Sequence, residues 1–116
     1  MANAARCTQF TQISGWVFVF IGLIGFFLTD LFGLIRFDAG HNALHIALGS
    51  LSLWLCYKGT AGMQVNWTKW AGVSYLLFGA VGFFIPQLGS IGLEPLENLL
   101  HLILGGWGIW AGFFSK

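Results

Sequence analysis

The chain has 116 residues, of which 57% are hydrophobic and 8% charged, with a net charge of +1 and a mean hydropathy of +0.79. Soluble domains carry roughly a quarter charged residues, so this composition belongs to the membrane class. Near-neutrality gives no footing for nucleic acid, and two cysteines, Cys7 and Cys56, are not a disulfide framework.

Four apolar runs follow one another: Gln12 to Leu28, His41 to Tyr57, Lys69 to Ile85 and Leu96 to Phe114. Each is about long enough to cross a hydrocarbon core of roughly 30 Å at 1.5 Å per residue. Backbone polar groups cannot go unpaired in lipid, so such runs are expected to be helices. The first run resembles a signal peptide in position, but only Arg6 precedes it and no small-x-small cleavage site follows Phe27. Together with the repeat described below, this predicts that the first helix is retained.

The connections are short. Leu31-Phe32-Gly33-Leu34-Ile35 and Leu88-Gly89-Ser90-Ile91-Gly92-Leu93 are apolar enough to be expected at an interface rather than in free solvent. Asp38 is placed to cap the second helix. Pro95 suits the first position of the fourth, with Glu97 near its positive dipole end. Glycines within the runs suit close packing between membrane helices.

Charges sort by side. Arg6, Lys58, Lys69 and Lys116 fall before the first run, around the second connection or at the C-terminus, while Asp30, Arg36, Asp38, Glu94 and Glu97 fall at the first and third connections. The positive-inside rule then places both termini in the cytoplasm; the membrane expected is a bacterial inner or thylakoid-type one. Trp16, Trp54, Trp67, Trp70, Trp107 and Trp110 fall toward that same half, as an aromatic belt would.

The chain also repeats itself. A shift of 56 aligns Gly33 with Gly89, Asp38 with Glu94, Asn42 with Asn98, His45 with His101, Gly49 with Gly105 and Trp54 with Trp110. A shift of 57 aligns Gly15 with Gly72, Gly22 with Gly79, and Gly25-Phe26-Phe27 with Gly82-Phe83-Phe84. The expected fold is therefore all-α and membrane-integral, a single domain of four transmembrane helices over residues 1–116. Two tandem hairpins (about 12–57 and 69–114) are related by an axis along the membrane normal, unlike inverted transporter repeats.

The polar residues concentrate in His41-Asn42-Ala43-Leu44-His45 and Glu97-Asn98-Leu99-Leu100-His101, both at helix starts on the non-cytoplasmic side. Asn42, His45, Gly49, Ser52 and Cys56 form one helical stripe, and Asn98, His101, Gly105, Gly108 and Gly112 form its counterpart. This predicts that the second and fourth helices are central, or that each stripe faces the other hairpin. Three readings compete. Asn42, His45, Asn98 and His101 can form a hydrogen-bonded network that locks the helices. Histidines can ligate a tetrapyrrole, His41 facing outward while His45 and His101 face inward; no C-x-x-C-H allows covalent haem. Finally, His41, His45, Glu97 and His101 can hold zinc or iron, because positions i and i+4 share a helix face. Chlorophyll or carotenoid is the cofactor class expected ahead of haem or a transition metal.

No nucleophile motif surrounds Ser14, Ser50, Ser52, Ser74 or Ser90, and every charge lies near a helix end, which argues against catalysis and against an ion path. The paired signatures His41-Asn42-x-x-His45-x-x-x-Gly49 and Asn98-x-x-His101-x-x-x-Gly105, each with Gly-Phe ending the preceding helix, resemble an uncharacterised family of small bacterial four-helix membrane proteins, found in cyanobacteria among others. The resemblance spans the first helix to the fourth and implies the architecture but no activity; Glu97 stands where that family leads one to expect an aspartate. The functional expectation is a non-enzymatic accessory subunit of a larger membrane complex, in a photosynthetic source one of a photosystem or light-harvesting assembly with pigment contacts. The alternative is a haem- or metal-binding redox or sensory protein.

Overall fold

A computed structural model describes residues 3–28, 30–31, 35–36, 39–85, 87–88, 91–92 and 95–115, with backbone alone at 30, 31, 35, 36, 87, 88, 91, 92 and 95. Four helices account for nearly all of it: α1 (Ala4–Phe27), α2 (Ala39–Lys58), α3 (Ala61–Phe84) and α4 (Pro95–Ile109). The last runs on into a π-helical turn, Trp110–Phe114. Each hairpin connection carries one small antiparallel ladder of two-residue strands, Asp30–Leu31 with Ile35–Arg36 and Gln87–Leu88 with Ile91–Gly92.

Helices α2 and α4 lie where their apolar runs predict, and Pro95 opens α4. Helices α1 and α3 begin eight residues before their runs do, at Ala4 against Gln12 and at Ala61 against Lys69. The added turns hold polar residues that hydropathy reads as solvent-facing and that are instead satisfied between helices. Asn3 caps α1 by accepting from the Ala5 and Arg6 amides; Thr60, its counterpart in the repeat, caps α3 by accepting from the Met63 amide. Thr8 donates to the Gln64 side-chain oxygen. Gln64 donates in turn to the carbonyls of Leu55 and Cys56 at the end of α2, both at 3.0 Å.

Within each hairpin, α1 packs along α2 and α3 along α4, and the hairpins join chiefly through α1 and α3. This corrects the expectation that α2 and α4 are central. The small-residue stripes serve the hairpins themselves. A side-chain carbon at Gly49 would lie 2.7 Å from the Gly15 carbonyl oxygen of α1, and one at Gly72 would lie 2.7 Å from the Gly108 backbone of α4. Without a side chain at these positions, the paired backbones come into direct contact.

An approximate twofold axis passes between α1 and α3, where residues equivalent in the two repeats touch each other. The Thr11 and Thr68 hydroxyls are 3.4 Å apart, and the Phe18 and Tyr75 rings are 4.9 Å apart. Phe10, Phe18, Ala71, Tyr75 and Leu104 form the apolar core, with Trp67 and Trp107 packed against it. Those two tryptophans are therefore not part of a peripheral belt, whereas Trp16, Trp54, Trp70 and Trp110 are exposed. Arg6 lies over the Trp110 ring at 4.8 Å, and Lys69, in the first half of α3, lies over the Phe113 ring at 5.2 Å.

Asn3 donates its amide to the Ser115 hydroxyl at 3.1 Å, so both termini meet at one end of the bundle, beside the α2–α3 connection. The hairpin connections lie at the opposite, loop end. Among the described helices, α1 is the one long and apolar enough, by length and composition, to cross a membrane. The others are interrupted by Gln64, Asn66 and Lys69 in α3, by His41, Asn42 and His45 in α2, and by the π turn that ends α4. The Asp38 cap and most of the two apolar loops lie outside the described residues.

Candidate functional site

The loop end of the bundle interior is polar, and the repeat explains its make-up. Positions 41 and 97 are equivalent, as are 45 and 101, each pair sharing one face of its helix at i and i+4. The twofold relation turns these faces toward one another. His41, His45, Glu97 and His101 are all buried, with Glu97 4% exposed. His41 thus points inward, contrary to the expectation that it faces outward. It lies one turn before His45, so the stripe through His45 is wide enough to include it.

The contacts converge on one atom. His41 Nε2 lies 2.9 Å from Glu97 Oε1, and His45 Nε2 lies 3.3 Å from the same oxygen. The two imidazoles pack against each other with ring centroids 4.3 Å apart. Among the described residues, Glu97 Oε2, His45 Nδ1 and His101 Nδ1 are buried without a hydrogen-bond partner. Such atoms are costly in a low-dielectric interior and mark a site with capacity left over. One donor atom from each of His41, His45 and Glu97 falls within 4.8 Å of the others.

His101 borders this triad without joining it. Its ring is 6.2 Å from that of His45, and it stacks on Tyr75 at 6.1 Å with planes 16° apart. Phe18 lies 5.0 Å from His45 and 6.0 Å from His101, filling the space between them. A haem or chlorophyll macrocycle held between the two imidazoles would have to displace Phe18 and Tyr75 from the core.

The asparagines have a different place from the one their stripe suggests. Asn42 sits against Gly25 of α1 and Asn98 against Gly82 of α3, each within its own hairpin. The expected set of Asn42, His45, Asn98 and His101 is thereby divided: the asparagines meet the glycines that end α1 and α3, and the histidines turn to the axis. Sequence reasoning passed over Phe18 and Tyr75, which shape the wall of the site; the shift of 57 relates them and was signal enough to pair them.

No family model, curated protein or solved structure matches the chain.

Proposed function

We propose that this chain is a small integral membrane protein that crosses the bilayer four times and works, without catalysis of its own, as an accessory subunit of a larger membrane complex. The observation that carries this reading is its inside-out polarity. Thr11, Ser14, Ser52, Gln64, Thr68, His45, Asn98 and His101 are buried, whereas Phe20, Phe27, Trp70, Leu77, Phe84, Ile103 and Phe114 are each more than half exposed. A soluble bundle of this kind would present a large continuous apolar surface to water, which marks a membrane or partner surface. The paired His41, His45 and Glu97 belong inside such a bundle, as intramembrane ionisable groups do.

The accessory role follows from what the chain has to offer. Its helices are joined by a two-residue connection at one end and short ladders at the other, so among the described residues helix faces are nearly all that a partner can recognise. The positive charges at the terminal end support a cytoplasmic location for both termini. In a photosynthetic source, pigment would be met on the exposed aromatic faces and not at the buried histidines.

Alkaline carbonate extraction followed by purification in mild detergent tests the proposal. The chain is expected in the carbonate-resistant pellet and in a detergent complex larger than itself. Release by carbonate overturns membrane integration, and elution as a lone small species overturns the accessory role.

A further inference from the structure

We infer that His41, His45 and Glu97 form a binding site for one divalent transition-metal ion of the zinc class, with Glu97 as a monodentate ligand through Oε1.

The approach of the two imidazoles supports a ligand set over a hydrogen-bonded triad. Two imidazole donors that served only to satisfy a buried carboxylate would be expected to divide between its oxygens. Here both Nε2 atoms aim at Oε1, and Oε2 is left without a partner among the described residues. Ligand atoms around a tetrahedral ion with bonds of about 2.0–2.1 Å lie about 3.3 Å from one another. The observed 2.9 and 3.3 Å separations are close to that spacing, and donor atoms of all three residues lie within 4.8 Å of one another.

Charge points the same way. Coordinating through one carboxylate and two neutral imidazoles, the triad brings one negative charge to a divalent cation and so lowers the net charge buried with it. The donor set selects the ion. Two imidazole nitrogens and one carboxylate oxygen suit zinc or ferrous iron. The absence of thiolate disfavours copper(I), and calcium requires more oxygen donors than the triad supplies.

The repeat accounts for how such a site arises here. Position 41 is histidine and its equivalent, 97, is glutamate, so the axis brings unlike groups together where an exact repeat would oppose like ones. Three ligands from the chain leave a fourth position for water or an outside ligand. His101, one turn after Glu97, has its ring 6.2 Å from that of His45.

The test is cobalt(II) titration of the full chain, purified in mild detergent without a polyhistidine tag and stripped of metal with chelator. Cobalt(II) is expected to bind at one ion per chain, with the intense visible absorption of a tetrahedral site, and to be displaced by zinc(II). Glu97→Gln and His41→Ala are expected to weaken binding at least tenfold while helical circular dichroism and monodisperse elution persist. If the unaltered chain binds neither ion above the level of Glu97→Gln, the site is a hydrogen-bonded triad only and the inference fails, whether or not the variants fold. Membrane integration is read separately by carbonate extraction, so failure of one reading is distinct from failure of the other.

Discussion

Gly25 and Gly82 stand at equivalent positions near the ends of α1 and α3, and a methyl group added at either would fall on an asparagine amide, that of Asn42 or Asn98. Glycine is required there by the asparagine rather than by any backbone conformation. Overpacking of this kind costs typically about 1–3 kcal/mol. Gly25→Ala and Gly82→Ala are each expected to lower the unfolding free energy in detergent by that amount. Gly106→Ala, at a position with no neighbouring atom within 4 Å, is expected to leave it unchanged. Equal effects at all three positions would sink the packing account. The motif Asn-x-x-His was legible in both repeats, but the division of labour within it was not. Hydropathy and spacing place Asn42 and His45 on one stripe, and only the tertiary arrangement sends Asn42 to its own hairpin and His45 to the axis.

Elements are held together at the terminal end by hydroxyls and amides that hydropathy scores as breaks. Ser52 illustrates the arrangement: its hydroxyl donates to the Thr11 carbonyl of α1 at 2.7 Å and accepts from the Trp67 indole of α3 at 3.1 Å. One small side chain thus joins α2 to both central helices. Interhelical hydrogen bonds in membranes average about 0.6 kcal/mol each. Ser52→Ala is therefore expected to cost about 1 kcal/mol in a detergent unfolding titration, and Ser50→Ala, on the exposed face, nothing measurable. A neutral Ser52→Ala would show that this layer contributes no stability. The same layer explains why two helix starts were not legible. Thr8, Thr11, Gln64 and Thr68 read as solvent-facing, yet each finds its partner across the bundle. The C-terminal halves of α1 and α3, in which Ser74 and Tyr75 alone carry hydroxyls, matched their apolar runs closely, ending at Phe27 and Phe84 against Leu28 and Ile85.

For the whole molecule, the duplication was the most informative feature of the sequence, and its consequence is geometric. Once two similar hairpins pair about an axis, equivalent residues must meet there, as Thr11 with Thr68, Phe18 with Tyr75 and His41 with Glu97 do. The core pair Phe18 and Tyr75 offers a further check on that axis. Phe18→Ala removes a fully buried ring and is expected to cost about 3–5 kcal/mol. It should also disturb both histidines, measurable as shifted imidazole resonances; unchanged His45 and His101 signals would contradict their packing against Phe18.

Gly62 lies at the terminal end and Gly106 inside the helical run from Pro95 to Phe114, and Ser90 falls in sequence between Gln87–Leu88 and Ile91–Gly92. The most direct measurement of the account is cysteine accessibility in intact cells, using a chain in which Cys7 and Cys56 are replaced by serine. A membrane-impermeant maleimide is expected to label Ser90→Cys from outside, Gly62→Cys only after permeabilisation, and Gly106→Cys under neither condition. Labelling of Gly62→Cys and Ser90→Cys from the same side, or ready labelling of Gly106→Cys, would contradict a four-span bundle with its imidazole–carboxylate centre at the outer end.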